Sequence, residues 1–503
     1  MTRLRTEMPA FVLLMLISAG AMAVPALVAT VEADWVSARA FLHGGILIAL
    51  LSLLVGLATR GARGLGSARA QLLTLLGVYS VLPLLLAIPF HQAIGQGTLG
   101  GAWFEMVSAI TTTGGSMYDR WWVVPRAAHL WRAEVGWLGG FFTWVVAAAI
   151  LAPMNLGGFE VRAPASSQRS ARAFVQLARF DAPGARLARF AMDLAPVYGG
   201  LTAVLWIGLM ISGESELVAL THAMSVLATS GISAIGGVEH AQSGLAGEGI
   251  MLLFFAFALS RTTFARTLLG DDRVTLRSDP EIRLGLLLIG ATTLFLVVRH
   301  WFGGANGDQL GGALAALWGT LFTVASFLTT TGFESHAWAQ AEAWSGLEHP
   351  GLALIGLAIM GGGVATTAGG VKLMRIYALS HLMGREVNVL VLPHSVSGGG
   401  QRLRRIREQG AFIAWIFFML FALSIALVMT LLSLTGVQFE TAMVLTVAAL
   451  ANCGPLAQVA AEIPVSFADV PPLSQLVLAA AMVAGRLESL AIIALLNAEI
   501  WRK

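Results

Sequence analysis

Four short stretches decide the fold: Thr111-Thr112-Thr113-Gly114-Gly115-Ser116, Ala228-Thr229-Ser230-Gly231-Ile232-Ser233, Thr329-Thr330-Thr331-Gly332-Phe333-Glu334 and Ala451-Asn452-Cys453-Gly454-Pro455. Each closes an apolar, helix-like stretch too short to cross a bilayer, near 102–111, 216–228, 312–328 and 440–450. Gly114, Gly231, Gly332 and Gly454 are separated by 117, 101 and 122 residues, with a spanning segment before and after every turn. One such turn alone reads as an ordinary loop at a membrane interface. Four at matching positions read as one unit, helix, re-entrant loop, helix, repeated four times.

The rest of the chain is what such loops need around them. Of 503 residues, 57% are hydrophobic and only 12% charged, with mean hydropathy +0.77, which excludes a soluble protein, where about 25% are charged. Gly 56 against Pro 16 points to close helix contacts or non-helical backbone inside the membrane. The single cysteine, Cys453, excludes an intrachain disulfide framework and a cysteine-based metal cluster. A net charge of +3 with basic residues gathered in a few loops reads as membrane topology, with no nucleic-acid partner.

About 20 apolar residues cross the hydrocarbon, and ten stretches qualify: 9–30, 42–59, 70–92, 133–155, 190–212, 247–268, 283–302, 351–381, 410–434 and 474–500. The first follows Arg3 and Arg5 but outruns a signal peptide, so it reads as a span. Basic residues concentrate around Arg60 to Arg69, Arg162 to Arg189, Arg261 to Arg283 and Arg375 to Arg407, on the same side as both termini, and that side is expected to be cytoplasmic. Segments 213–248, 303–350 and 433–473 hold no Lys or Arg but hold Glu214, Glu216, Glu239, Glu248, Asp308, Glu334, Glu342, Glu348, Glu440, Glu462 and Asp469. Positive-inside sorting alone could produce this asymmetry, and an acidic outer face would also attract cations. The stretch 382–409, with Ser397-Gly398-Gly399-Gly400 and Arg402, Arg404, Arg405 and Arg407, reads as a flexible, charged contact surface or, in preference, a collar against membrane lipid.

Non-helical backbone at membrane depth persists only where it is buried in protein or lines a watery cavity. Four loops in a pseudo-fourfold array would aim their carbonyls at one axis, where such oxygens replace a cation's hydration shell. The residues expected there are Thr112, Thr113 and Gly114; Thr229, Ser230 and Gly231; Thr330, Thr331 and Gly332; and Asn452, Cys453 and Gly454. Glycine lets the backbone turn without a Cβ penalty, and each short helix points its partially negative C-terminus at the ion. Glu105, Glu216 and Glu440 are placed near the starts of these helices, where negative charge suits the dipole.

On these motifs the chain resembles the Trk/Ktr/HKT superfamily of potassium transporters. The resemblance runs from about residue 70 onward and rests on Phe104-Glu105 leading into Thr111-Thr112-Thr113-Gly114, Trp131-Arg132 with Trp137-Leu138-Gly139-Gly140, Gly361-Gly362-Gly363 through Ala368-Gly369-Gly370-Val371-Lys372, Asn452-Cys453-Gly454-Pro455 and Gly485-Arg486-Leu487-Glu488. The two extra leading spans look like those of the bacterial Trk branch. The resemblance implies a four-repeat pore, homodimers and a cytoplasmic nucleotide-binding regulatory subunit. Glycine at all four turns implies K+, whereas serine in the first marks sodium transport in some plant relatives. Ser230 stands where a glycine often precedes the filter glycine, and Cys453 where a larger or apolar residue is common; both bear on fine selectivity.

The glycine cluster Gly361 to Gly370 should break the eighth span, since each helical glycine costs roughly 1 kcal/mol relative to alanine. By the resemblance, this segment is a gate beneath the filter, formed by Gly361, Gly362, Gly363, Gly369 and Gly370 with Lys372 at its end; the plainer reading is a close-packing face. Arg486, deep in the last span, lies by the resemblance beside the ion path, where it would lower cation occupancy or hold the gating loop. A salt bridge with Glu488 or another helix is the alternative. Arg132 and Glu134 read as an interfacial anchor with Trp131 and Trp137, and His222 as a packed or hydrogen-bonded residue. Gly370-Val371-Lys372-Leu373 fails the phosphate-loop spacing, and neither a zinc-protease helix nor a hydrolase triad occurs.

The expectation is an all-α polytopic membrane protein, not an enzyme: two leading spans (1–64), then four repeats (65–165, 166–275, 276–390, 391–503). It carries K+ through the inner (plasma) membrane, needs no cofactor in this chain, and is regulated through a separate cytoplasmic subunit on the basic loops. A Na+-selective version, or one coupling K+ to Na+ or H+ in symport, would keep the same pore. An organic-substrate transporter would show paired half-repeats instead.

Overall fold

The computed structural model describes residues 10–59, 68–151, 158–161, 183–260, 279–302, 310–391, 408–461 and 463–487. Every regular element among them is helical. The first span is two helices, α1 (Ala10–Ala21) and α2 (Ala23–Val31), and the third is likewise α4 (Ala68–Ser80) and α5 (Leu82–Ile94). Pro25 and Pro83 explain both breaks, because each lacks an N–H and crowds the carbonyl four residues back. Between them, α3 (Trp35–Ala58) starts well before the expected residue 42. Asp34 caps it, its carboxylate accepting the Ser37 N–H at 3.2 Å, while Arg39 in the second turn lowers the local hydropathy that marks a span.

Then come α6 (Leu99–Ile110), α7 (Arg126–Val146), α8 (Pro183–Ile211), α9 (Glu216–Ala228), α10 (Gly244–Leu259), α11 (Pro280–Phe302), α12 (Leu310–Leu328), α13 (Trp338–Ser345), α14 (Gly351–Met360), α15 (Leu373–Val391), α16 (Glu408–Leu434), α17 (Phe439–Leu450), α18 (Leu456–Val459) and α19 (Pro472–Leu487). Among the described residues, seven helices are long and apolar enough to cross a membrane, and the protein is a multi-pass membrane protein. The expected spans 247–268 and 351–381 come out shorter, and 474–500 is described only as far as Leu487. α14 stops at the glycine cluster, and the far ends of the other two, with Glu488, lie outside the described residues, as do 152–157, Asp308, Glu462 and basic stretches 60–67, 162–182, 261–278 and 392–407.

The four short helices α6, α9, α12 and α17 form a ring through a repeated contact. α7 packs on α9, α10 on α12, α14 on α17, and α19 closes back on α6. Close approach needs glycine: a Cβ on Gly139 of α7 would overlap the Ile110 carbonyl ending α6, and one on Gly485 of α19 the Leu450 carbonyl ending α17. Phe104, Trp131, Phe322 and Phe327 are fully buried inside, while α16 turns Phe412, Leu423, Leu427 and Leu434 outward, where lipid solvates them.

Candidate pore and gate

The glycine turns that end α6, α9, α12 and α17 (turns 1 to 4) meet edge to edge. A Cβ on Gly114 would overlap the Ser230 carbonyl oxygen, and one on Gly231 the Thr331 oxygen. A Cβ on Gly332 would press Pro455 at 3.0 Å, and one on Gly454 would overlap the Gly115 nitrogen. The order is therefore 1, 2, 3, 4 and back to 1. The turns also share a bend. The residue two before each glycine is left-handed, at φ 52° for Thr112, 50° for Thr229, 55° for Thr330 and 52° for Asn452. The next N–H then reaches back to the short helix: Thr113 to Ser108 O at 2.8 Å, Ser230 to Ser225 O at 3.0 Å, Thr331 to Ser326 O at 2.9 Å and Cys453 to Ala448 O at 2.9 Å. Sequence reasoning missed this left-handed residue, although aligning the turns on their glycines puts Thr, Thr, Thr and Asn there. It also gave all four glycines one reason. Gly114, Gly231 and Gly332 do have positive φ (76°, 63° and 83°), but Gly454 does not; only space demands a glycine there.

Buried backbone carbonyls without a donor are rare. Among the described residues, the carbonyl oxygens of the buried residues Thr112, Thr229, Ser230, Thr330, Thr331 and Asn452 accept no hydrogen bond from the protein. Thr113 O accepts from Gly454 N at 2.6 Å, Cys453 O from Leu456 N at 3.2 Å and Gly454 O from Ala457 N at 3.0 Å. A set of buried, donorless oxygens is suited chemically to a dehydrated cation. On the face of the turns away from the short helices lies a cavity of ≈ 70 Å³ lined by all four glycines together with Asp119, Glu239 and Glu334. Glu334, beyond the spanning helices, is pushed up to about 8 by burial, and further by Glu239 and Glu342.

Beneath the turns the chain leaves α14 at Gly361 (φ 71°) and re-enters helix at α15, passing Ala365 (φ 57°), Gly370 (φ 74°) and Lys372 (φ 84°). This loop meets turns 2, 3 and 4 directly and turn 1 through Arg486. Arg486 of α19 gives Nη1 to Thr367 O at 2.6 Å, Nε to Thr111 O at 2.7 Å and Nη2 to Thr112 Oγ1. Thr367 Oγ1 donates to Leu227 O at 3.1 Å, Gly369 N to Thr330 Oγ1 at 2.7 Å, and a Cβ on Gly369 would overlap Ala451 O. The Lys372 ammonium donates to Ala368 O within the loop. A cavity of ≈ 30 Å³ lies against it, between Thr143, Ala365, Ala368, Lys372 and Arg486.

Two acids brace this loop, Glu281 directly and Asp279 through it, and were not singled out from sequence; a basic residue at the loop's end was misplaced. The buried Glu281 accepts the Val364 N–H at 2.8 Å, and Asp279 accepts from Ser260 Oγ at 2.6 Å and from Glu281 N at 3.0 Å. Arg375, assigned to a cytoplasmic basic loop, is instead fully buried, its guanidinium 3.7 Å from the Phe417 ring centre. Two other expectations are overturned. Glu105 is not at a helix start, because Thr98 caps α6 by accepting Gly101 N at 3.1 Å and so places Glu105 mid-helix. Arg132 is no interfacial anchor; it is buried against Glu105 at 2.6 Å, with Trp131 and Glu134 buried beside it. His222 is hydrogen-bonded as expected, to Ser233 Oγ at 2.8 Å.

Helices ringed around converging turns, with a loop pressed against their inner side, define an all-helical membrane transporter. The sequence profile of TrkH, a cation transport protein, matches residues 283–502. The chain is 30% identical over 430 residues to the Trk system potassium uptake protein TrkI of Halomonas elongata, covering 84% of this chain and 81% of that one. It is 28% identical to the Trk system potassium uptake protein TrkH of Salmonella typhimurium, covering 98% of each. The crystal structure of the potassium transporter TrkH from Vibrio parahaemolyticus superposes with a TM-score of 0.81 at 25% identity, covering 99% of each chain. The chain belongs to the TrkH family of Trk-type transporters, a family of transporters and not of enzymes.

Proposed function

We propose that this protein takes up K+ across the inner membrane, with both termini cytoplasmic. The relatives named above as potassium uptake proteins support the ion. The observation that carries the site is the ring of donorless carbonyls at Thr112, Thr229, Ser230, Thr330, Thr331 and Asn452. In this reading the residues Thr112 to Gly114, Thr229 to Gly231, Thr330 to Gly332 and Asn452 to Gly454 are the filter of four repeats, 65–165, 166–275, 276–390 and 391–503. The Gly361 to Lys372 loop is the gate, which Arg486 holds against turn 1. A cytoplasmic nucleotide-binding subunit acting on a homodimer opens it. The bonds from Arg486 and Gly369 to the turns support a closed gate.

The test is Rb+ uptake into proteoliposomes with Na+ as competitor, native chain against Gly114→Ser. Loss of preference for Rb+ over Na+ in the variant is expected. Unchanged preference, or no Rb+ flux through the native chain under any regulatory condition, overturns the filter.

A further inference from the structure

Nine residues before the four glycines stand Glu105, His222, Thr323 and Leu445. All four are buried in the short helices, and the first three reach forward to the segment that leaves their own turn. Glu105 Oε2 accepts the Met117 N–H at 2.8 Å. His222 Nε2 pairs with Ser233 Oγ at 2.8 Å, and that hydroxyl in turn accepts the Ile235 N–H at 3.1 Å. Thr323 Oγ1 accepts the Ser335 N–H at 3.1 Å. The chemistry differs, a carboxylate, an imidazole and a hydroxyl, yet each spans from the same register of the helix to the residue two or three past the glycine. Leu445 has no polar atom to do so, and there Pro455 starts α18, whose N–H groups hold the exit limb instead.

We propose that Glu105, His222 and Thr323 are positioning residues for ion selection: each is a strut that fixes the outer limb of its turn, and so the spacing of the carbonyls just below it. The proposal rests on the filter reading above. Its physical basis is size selection: carbonyls held at one spacing favour the ion that fits them, as long as the backbone resists closing onto a smaller one. The Glu105 strut, and the limb that Thr323 grips, are themselves held. Arg132 lies 2.6 Å from Glu105 Oε1, and Ser335 Oγ and His336 N donate to Glu248 at 2.7 and 2.8 Å, with Trp318 Nε1 on the same carboxylate at 2.6 Å. His222 packs edge-on to Phe333 of turn 3, ring centres 5.3 Å apart, which couples two neighbouring limbs.

The experiment measures the Rb+/Na+ uptake ratio and the melting temperature of the full chain for His222→Leu, which copies repeat 4, and His222→Gln, which restores a hydrogen-bonding nitrogen. Thr323→Val and Thr323→Ser form a second pair of minimal size, should the histidine variants not fold. Leu and Val should lower the ratio about fivefold, the worth of one neutral hydrogen bond, while Gln and Ser restore it. If the ratio stays at the native value in Leu and Val while Gly231→Ser loses it, the struts are only structural and the proposal fails with the filter intact. If Gly231→Ser also keeps the native ratio, the filter reading fails and takes the struts with it.

Discussion

Turns 1 and 4 lie side by side and bend alike, but they are held by different means. Turn 1 is gripped from behind and below: Thr111 and Thr113 share a hydroxyl bond of 2.8 Å, Ser108 Oγ donates to Gly115 O at 2.6 Å, and Arg486 reaches Thr111 O from beneath. Turn 4 has Ala451 and Cys453 where those threonines stand. It is held from the side and front: Asn452 Nδ2 donates to Thr113 Oγ1 and Met482 O, both at 3.0 Å, and α18 takes the carbonyls of Cys453 and Gly454. A fourfold bend is thus compatible with a ring in which turn 4 has one donorless carbonyl, on Asn452, and turns 2 and 3 at least two each. The glycine, the left-handed residue two before it and the bond back to the short helix are what the repeats keep in common; the side chains that hold each turn are not.

The largest effect should come from alanine at the glycines. Gly114→Ala combines a left-handed φ, worth about 1–2 kcal/mol, with overlap on Ser230 O, whereas Gly454→Ala has overlap alone. Both should abolish Rb+ uptake, and Gly114→Ala should melt lower by an amount matching that strain. Equal melting temperatures would mean that turn 4 is strained after all, and the contrast would collapse.

Next is Arg486→Gln, which removes charge-assisted bonds worth about 1.5–3 kcal/mol each between turn 1 and the loop below. Flux of the chain without a regulatory partner should rise about tenfold or more, the equivalent of about 1.4 kcal/mol. An unchanged basal flux would mean that Arg486 does not hold the loop. Asn452→Ala should cost less, because its Oδ1 has no partner among the described residues and deletion removes that liability along with two hydrogen bonds, which offsets part of the strain of alanine at φ 52°. A loss near 1 kcal/mol in thermal stability is expected; a loss above about 3 kcal/mol would show that turn 4 leans on Asn452 more than on α18.

The contrast between turns also marks what the sequence could tell. The four turns were legible because short helix, small-residue turn and glycine recur at similar spacing, and the eighth span's break was legible in Gly361 to Gly370. Glu105, Arg132, Glu281 and Arg375 were not. Hydropathy treats a charge as a cost to be kept at an interface, so it places Arg132 and Arg375 at edges, although a buried partner or an aromatic face lets them sit inside. The cap at Thr98 was the available signal that α6 begins early enough to bury Glu105. The missing left-handed turn at Gly454 had no local signal, since the residue type is the same at all four positions.

The smallest expected effect concerns the second residue past each glycine: Ser116, Ser233, Glu334 and Leu456. Turn 3 alone places a carboxyl there, and its neighbour turn 4 a leucine that cannot titrate. Glu334 is held up to about 8 by burial and then by Glu239 and Glu342. An acid raised in this way is neutral at pH 7 and gains its charge as the pH on its side of the membrane climbs through about 8, so cation attraction at that cavity should grow on the alkaline side. One charge near an aqueous cavity is worth about 1 kcal/mol at 4 Å and less with distance and salt, so a gain of about twofold in apparent Rb+ affinity from pH 7 to 9 is the expected size. Glu334→Gln should flatten that rise. A rise that persists in the variant would put the titrating group elsewhere and leave turn 3 electrostatically equivalent to turn 4 at that cavity.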